Sequence, residues 1–159
     1  MLSDLKKVLF VCLGNICRSP MAEAIYNDLL IKNGLENEYV ADSAGTAHYH
    51  IGDAPDYRTL KILALNQITT NHKGRQFKPA DFDKFDYIFV MDRSNLHDVL
   101  SLAKTEEHRK KVMLMREFDP LKNGDQVPDP YYGGMNEFKE VFDMLQRSCS
   151  NFIDFCKNV

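Results

Sequence analysis

The sequence predicts an α/β fold, a three-layer sandwich with a four-stranded parallel sheet flanked by helices. Short apolar, β-branched runs alternate along the chain with segments whose apolar residues have helical spacing. This alternation implies right-handed crossovers between strands and therefore a parallel sheet. The predicted strands cover, in chain order, residues 7–11, 39–41, 85–91 and 112–114.

Helices are predicted between the strands and after the last one. Ser19 and Pro20 suit the N-cap and first position of a helix over 20–32, and Gly34 is typical of the residue that ends one. A second helix is predicted over 55–65, with Leu60, Leu63 and Ala64 facing inward, and a third over 94–102. A long helix over 136–157 carries an apolar stripe: Phe138, Val141, Phe142, Leu145, Phe152 and Phe155.

Length and composition predict one compact domain over residues 1–159. A chain of 159 residues with 44% hydrophobic content suits a single core. No stretch has membrane-spanning length, and the first residues lack a signal-peptide pattern. Four irregularly spaced cysteines then indicate free thiols and a cytoplasmic location. A net charge of −3 argues against nucleic acid as a partner. We expect a monomer with, at most, weak self-association.

The segment between the first strand and the first helix is the strongest functional signal. Cys12 directly follows the predicted strand, and Arg18 stands six residues later, directly before Ser19 and Pro20. A strand–loop–helix connection points successive backbone N–H groups and the positive end of the helix into one concavity, which favours phosphate. Arg18 can hold two phosphate oxygens, and the N–H groups favour the nucleophilic thiolate of Cys12. The segment therefore predicts a phosphate site with a nucleophile.

Three further residues of this segment have chemically useful types. Gly14 allows backbone angles that a side chain would forbid, and Asn15 tolerates a left-handed conformation while its amide holds the loop. The Ser19 hydroxyl can donate to the Cys12 sulfur, stabilising it as a thiolate and as a leaving group. Taken alone, however, a Cys followed six residues later by Arg also fits a buried structural cysteine and a surface arginine.

Transfer of phosphate to a thiolate requires a proton for the leaving oxygen. Asp129, between Pro128 and Pro130, is our candidate for this acid, although Asp-Pro also opens turns and the residues alone leave both interpretations open. Asp92 is a second candidate, but its place between a strand and a helix favours an N-cap.

Aromatic residues beside Asp129 predict a pocket. Tyr131 and Tyr132 would form one wall, with Leu13, Ile16 and Tyr49 opposite, unless these tyrosines merely cover their own loop. A deep aromatic pocket favours phosphotyrosine over the shorter phosphoserine. His48, His50 and His72 could suggest a metal site, but His-x-His without carboxylate or Cys ligands nearby favours surface histidines. We expect no metal and no cofactor.

Four segments together resemble the low-molecular-weight protein tyrosine phosphatases, in the order that family has them. They are the segment from Val11 to Glu23, the loop from Asp42 to Thr46, Met91-Asp92 with Ser94-Asn95, and the run from Asp129 to Gly134. The resemblance extends over the whole chain and implies a metal-independent phosphatase that acts on phosphotyrosine proteins and small aryl phosphates through a phosphocysteine. At Tyr49 many members have Trp, a departure that bears on substrate preference.

The resemblance also implies roles for single residues. Cys12 is similar to the nucleophile, Arg18 to the phosphate clamp and Asp129 to the general acid. The phosphate-binding loop is matched by Leu13, Gly14, Asn15, Ile16, Cys17 and Arg18, and its supporting network by Asn15, Ser19, Ser43 and His72. Cys17 is similar to the second loop cysteine, which in the family forms a disulfide with the nucleophile. Family relatives that act on phosphoarginine usually have Thr at the position of Ile16, so Ile16 favours phosphotyrosine.

Two other functions use the same loop. Arsenate reduction coupled to thioredoxin requires two more cysteines downstream, and this chain has none between Cys17 and Cys149. A redox-sensing or phosphoprotein-binding module would bind without turnover, but it would not need Cys12, Arg18 and Asp129 together.

Overall fold

The computed structural model describes residues 5–121 and 125–159. Its sheet has four parallel strands in the order β2-β1-β3-β4, which confirms the predicted fold class. The strands are β1 (Lys6–Cys12), β2 (Tyr39–Gly45), β3 (Tyr87–Val90) and β4 (Val112–Leu114).

Six α-helices and one 3₁₀ helix accompany the strands in the described part of the chain. The α-helices are α1 (Arg18–Lys32), α2 (Tyr57–Leu65), α3 (Asp81–Lys84), α4 (Arg93–Leu100), α5 (Glu106–Lys110) and α6 (Met135–Lys157). The 3₁₀ helix, Met115–Phe118, follows β4 directly. The segments α3, α5 and the 3₁₀ helix were not predicted from the sequence, because short elements carry little periodic signal.

Alternate side chains of β1 enter two separate cores, one on each face of the sheet. Val8 and Phe10 pack with residues of α1, α2 and α6. Leu9 and Val11 pack on the other face with Phe82 of α3 and with residues of α4. The sheet is therefore the middle of three layers, as predicted.

Several predicted boundaries and burial assignments were wrong. Strand β2 continues to Gly45, since Ser43 and Ala44 pair with β1 although Asp42 and Ser43 end the apolar run. In α2, Ala64 is exposed and Ile62 is buried instead. Phe155, at the end of the α6 stripe, is 40% exposed.

The start of α1 also differs from its prediction. The helix begins at Arg18, so Cys17 and not Ser19 is the residue before its first turn. Pro20 lies in that first turn, where a missing N–H costs no helical hydrogen bond. Ser19 is thereby released from capping and is fully buried, with its hydroxyl directed at Cys12. At the other end, Gly34 follows the C-cap with φ +68°, as predicted.

The carboxyl ends of β1, β2 and β3 lie side by side at one edge of the sheet. This edge is where ligands bind in open parallel sheets. It brings together Cys12, Gly45 and the chain that follows Val90. None of the described helices combines the length and the apolar character that crossing a membrane requires.

Candidate active site

The sulfur of Cys12 lies at the start of the loop formed by residues 12–18, here called the Cys12 loop. The backbone N–H of Asn15 points at Cys12 Sγ from 3.3 Å, and Ser19 Oγ lies 3.0 Å from the same atom. The Asn15 amide donates to Ser19 Oγ at 2.8 Å, so the serine hydroxyl proton is available to the sulfur. These contacts favour negative charge on sulfur, in the manner expected of a nucleophilic thiolate.

The unusual backbone conformation of the Cys12 loop falls on Asn15, not on Gly14. Asn15 has φ 58°, in the left-handed region that asparagine tolerates. We predicted that Gly14 needs glycine for its backbone angles, and this was wrong, since its φ is not positive. What Gly14 provides is space: a Cβ there would lie 3.2 Å from Cδ2 of His50.

A buried polar network supports Asn15 from behind. Its amide nitrogen donates to Ser43 Oγ at 3.0 Å, and its carbonyl oxygen lies 2.7 Å from His72 Nε2. Ser43 Oγ in turn donates to Glu23 at 2.6 Å. The backbone N–H of Arg75 donates to the same Asn15 oxygen at 3.0 Å. Both polar groups of the Asn15 side chain are satisfied, which fixes the strained residue in place.

The end of β2 holds the first residues of the Cys12 loop by backbone hydrogen bonds. Thr46 N donates to Cys12 O at 2.9 Å, and Ala47 N donates to Leu13 O at 3.0 Å. Gly45 allows this approach, because a Cβ at that position would lie 2.7 Å from Leu13 O. The segment from Asp42 to Thr46, which is the end of β2 and the residue after it, therefore positions the Cys12 loop through both side chains and backbone.

The guanidinium of Arg18 is 2% exposed and is held by groups far away in sequence. Its Nη1 donates to Asp92 Oδ2 at 2.7 Å and to the carbonyl of Val127 at 2.9 Å, and its Nη2 lies 3.7 Å from Asp129 Oδ2. Burial alone lowers the pKa of Arg18, but the negative charges of Cys12, Asp92 and Asp129 outweigh burial and raise it. Arg18 is thus a permanent cation with a fixed orientation.

Asp92 caps a helix, as predicted, and also binds the guanidinium of Arg18. It is the N-cap of α4, as predicted, and Asn95 N donates to its Oδ1 at 2.8 Å. Its other oxygen accepts from Arg18. One carboxylate therefore starts a helix and orients the guanidinium.

Asp129 lies at the mouth of a cleft that contains Cys12 and Arg18. It belongs to the segment of residues 128–133, here called the Asp129 loop. Its side chain is 40% exposed, and its Oδ1 accepts from Tyr131 N at 3.1 Å. The cleft is lined around Cys12, Arg18 and Asp129 by Leu13, Gly14, Ile16, Cys17, Tyr49, His50, Tyr131 and Tyr132. All the residues that the sequence singled out as pocket walls therefore lie at this cleft. Tyr132, 95% exposed, stands at its outer rim.

The second cysteine of the loop has a different environment from Cys12. Burial, followed by the nearby charge of Asp56, raises the pKa of the Cys17 thiol. All four cysteines are free and buried. Cys17 therefore remains a neutral thiol at physiological pH.

Glu23, Asp42 and His72 are the group of described side chains whose ligand atoms lie close enough to share a metal ion, within 4.8 Å of one another. These atoms already face one another: His72 Nδ1 is 3.1 Å from Glu23 and 3.6 Å from Asp42. Arg75 adds a positive charge 3.0 Å from Asp42. The arrangement fits a polar cluster behind Asn15 in which Asp42 is paired with Arg75.

Sequence reasoning missed several residues of the site. His50 was taken for a surface histidine, yet it lines the cleft and pairs with Asp53 at 3.1 Å. Glu23 was not assigned to the supporting network, and Arg58, which binds the Asp129 loop, was not noticed. Their partners lie in distant segments, so local sequence carries no signal for them; the neighbouring ends of β1 and β3 could have indicated the contact between Arg18 and Asp92.

Comparison with known proteins agrees with this geometry. The family model described as low molecular weight phosphotyrosine protein phosphatase matches residues 7–159. A phosphatase of that name from Schizosaccharomyces pombe is 46% identical over 148 residues, covering 92% of this chain and 94% of its own. The structure of a protein tyrosine phosphatase from Entamoeba histolytica superimposes with a TM-score of 0.92 at 39% identity, covering 96% of this chain and 97% of the other.

A third relative has a different named substrate. The Drosophila arginine phosphatase structure superimposes with a TM-score of 0.86 at 39% identity, covering 95% of this chain and 98% of the other. The match over nearly the whole chain, together with the cleft around Cys12, Arg18 and Asp129, establishes the family. This chain belongs to the low-molecular-weight phosphotyrosine protein phosphatases.

Proposed function

We propose that this chain hydrolyses phosphotyrosine, and small aryl phosphates, by passing the phosphoryl group to Cys12 and then to water. The observation that carries the proposal is the convergence of Cys12, Arg18 and Asp129 on one cleft. These residues supply a nucleophile, a fixed cation and a carboxyl group, which are the three parts that the reaction needs.

In the first step, the Cys12 thiolate attacks phosphorus, the S–P bond forms and the P–O bond to the tyrosyl oxygen breaks. That oxygen takes the proton of Asp129. Arg18 and the backbone N–H groups of residues 13–18 stabilise the charge on the equatorial oxygens. The hydroxyl of Ser19, 3.0 Å from Cys12 Sγ, stabilises the sulfur before attack and again when it leaves.

In the second step, the Asp129 carboxylate accepts a proton from water as the water oxygen attacks phosphorus. The S–P bond breaks, Cys12 returns to the thiolate, and inorganic phosphate leaves. The carboxyl group is then protonated and ready for another cycle. The residues of the site carry every proton transfer, and we propose that the reaction needs no metal and no cofactor.

The cleft favours an aryl phosphate. Tyr131 and Tyr49 stand on its walls above a sulfur that is buried with the rest of Cys12, only 2% exposed. Phosphotyrosine has the length to reach it, whereas phosphoserine is short. Ile16 also favours phosphotyrosine over phosphoarginine, because relatives that act on phosphoarginine usually have Thr at this position. The Drosophila relative is named an arginine phosphatase.

Cys149 and Cys156 do not favour an arsenate reductase. Both are buried in α6, and burial raises the pKa of the Cys149 thiol. A thiol relay needs reactive, accessible cysteines. Their burial as free thiols also supports a cytoplasmic location, and we propose that residues 1–159 form one catalytic domain that works as a monomer on phosphotyrosine proteins.

The experiment is hydrolysis of a phosphotyrosine peptide in the presence of EDTA by the parent and by Cys12→Ser. Turnover by the parent and none by the variant is expected. The same peptide with phosphoserine or phosphoarginine tests the substrate class, and Ile16→Thr should raise activity on phosphoarginine relative to phosphotyrosine. Binding of the phosphopeptide without turnover by the parent would favour the binding module and refute the proposal.

A further inference from the structure

Arg58 joins the Asp129 loop to the body of the protein. It lies in the first turn of α2, with a side chain that is 25% exposed. Its Nη1 donates to the carbonyl of Gly133 at 2.8 Å, and its Nη2 donates to the carbonyl of Tyr131 at 2.9 Å. Two donors of one rigid guanidinium thus hold two carbonyls of the same short loop.

Arg58 is itself fixed on its other side. Its Nε and Nη2 donate to the two oxygens of Asp56, each at 3.0 Å, and its Cζ lies 4.3 Å from the ring centre of Phe138. The hydrogen bond from Arg58 lowers the pKa of Asp56, so both partners remain charged. A bidentate ion pair and an aromatic ring leave the guanidinium little freedom to move.

The same turn of α2 is bonded to the Cys12 loop. Asp56 N donates to Ile16 O at 2.7 Å, and Thr59 Oγ1 donates to Cys17 O at 3.3 Å. A continuous path therefore runs from the Cys12 loop through Asp56 and Arg58 to the Asp129 loop. It sets the position of the loop that carries the acid relative to the loop that carries the nucleophile.

The Asp129 loop makes few other hydrogen bonds. Among hydrogen bonds between described residues, those of residues 128–133 other than the two from Arg58 are internal, such as Gly133 N to Pro130 O at 2.9 Å. The ion pair of Asp129 with Arg18, at 3.7 Å, is longer than a hydrogen bond. Without Arg58, this loop would be held by its two ends, by the packing of the buried Pro130 and by that ion pair.

We propose that Arg58 is a positioning residue for the general acid. By holding the Asp129 loop, Arg58 keeps the Asp129 carboxyl within reach of the leaving oxygen. This inference rests on the proposed role of Asp129. Loss of Arg58 then impairs proton transfer to a poor leaving group, while phosphate still binds to Arg18 and the Cys12 loop. Misplacement of a catalytic group by about 1 Å can cost about 100-fold in rate.

The test measures kcat/KM of Arg58→Met for a phosphotyrosine peptide and for p-nitrophenyl phosphate, whose leaving group needs little protonation. We expect a loss of about tenfold or more on the peptide and a much smaller loss on p-nitrophenyl phosphate. The inhibition constant of inorganic phosphate should stay unchanged. Arg58→Lys keeps the charge but has one nitrogen for two carbonyls, so its kcat/KM for the peptide should lie between the values of the parent and of Arg58→Met. If Arg58→Met does not fold, Arg58→Lys replaces it in the test.

The decisive comparison repeats Arg58→Met in an Asp129→Asn background. If Arg58 acts through Asp129, its substitution has little further effect there. A loss that is equal in both backgrounds, or equal on both substrates, would overturn the inference. If instead Asp129 is not the general acid, Asp129→Asn alone would reduce kcat/KM equally for both substrates, a result that does not depend on Arg58. Arg109→Met, which removes a surface pair with Glu106 on α5, is the matched control and should behave as the parent.

Discussion

Arg18 and Asp92 form a short charged contact, 2.7 Å between Nη1 and Oδ2, although they stand 74 residues apart in sequence. The contact exists because β1 and β3 are neighbours in the sheet and both end at the cleft. It fixes one side of the guanidinium, with the carbonyl of Val127 as a second acceptor. Arg18, the proposed phosphate clamp, is thus oriented by the protein itself, and a phosphate need not order it on binding.

Asp92→Asn tests this orientation. Asparagine is as good an N-cap as aspartate, so the start of α4 should be preserved while the charge beside Arg18 is lost. We expect kcat/KM to fall about 10- to 100-fold, by the same factor for phosphotyrosine and for p-nitrophenyl phosphate. A loss restricted to phosphotyrosine would instead identify Asp92 as the acid.

Asp129→Asn should show the opposite pattern. The tyrosyl oxygen is a poor leaving group without a proton, so kcat/KM for a phosphotyrosine peptide is expected to fall about 100-fold or more. For p-nitrophenyl phosphate, the loss should be much smaller, because p-nitrophenolate is stable in water. Equal losses on the two substrates would remove Asp129 as the general acid.

Because Cys17 shares a short loop with Cys12, we expect the inactivation of the enzyme by peroxide to be reversible. Peroxide oxidises the Cys12 thiolate to a sulfenic acid, and attack by Cys17 then expels water and leaves a disulfide that a dithiol reduces. After peroxide, the parent should recover its activity with dithiothreitol, and Cys17→Ser should recover less. Cys149→Ser, which changes a thiol buried in α6, is the matched control and should recover like the parent.

The raised pKa of Cys17 gives this protection a pH dependence. At neutral pH the thiol is almost wholly protonated, and its reactive thiolate fraction grows about tenfold with each pH unit below the pKa. The fraction of activity that dithiothreitol restores to the parent should therefore rise between pH 6 and pH 8. Equal recovery of parent and Cys17→Ser across this range would contradict the disulfide.

How far the sequence predicts the structure depends on whether the signal is local. The strand–loop–helix connection around Cys12 and the left-handed Asn15 were predicted because these residues are contiguous, although the exact helix start and the role of Gly14 were not. The contact of Arg18 with Asp92 and the contact of Arg58 with Gly133 were not predicted, since 74 and 75 residues separate the partners. Likewise, β2 is extended to Gly45 by pairing with β1, which the polar residues Asp42 and Ser43 do not suggest.

Asp119, which lies outside the cleft, should contribute to the stability of the fold. Its side chain is fully buried and accepts hydrogen bonds from Arg116, from Arg147 of α6 and from Leu121 N. Asp119→Asn removes the buried counter-charge that Arg116 and Arg147 share, and we expect the free energy of unfolding to fall by about 3 kcal/mol or more in urea titrations. Glu106→Gln, which breaks an exposed pair with Arg109, is the control and should cost about 0.5 kcal/mol or less.

The effect of Asp119 should also depend on pH. Burial alone raises the pKa of this carboxyl, but the hydrogen bonds from Arg147, Leu121 N and Arg116 outweigh burial and lower it. The folded state therefore releases this proton more readily than the unfolded state. The stabilisation is complete above the ordinary carboxyl pKa of about 4 and is lost as the pH falls through the lower folded value. A difference between parent and Asp119→Asn that stays constant down to pH 2 would contradict this.

The covalent intermediate on Cys12 is the most direct test of the mechanism. Asp129→Asn is mixed with a phosphotyrosine peptide that carries radioactive phosphate, the reaction is stopped with acid within the first turnover, and the digested protein is mapped. We predict label on the fragment that contains Cys12, and none when Cys12→Ser is added to the same variant. Hydrolysis of the peptide with no labelled protein, or label at another residue, would contradict the account.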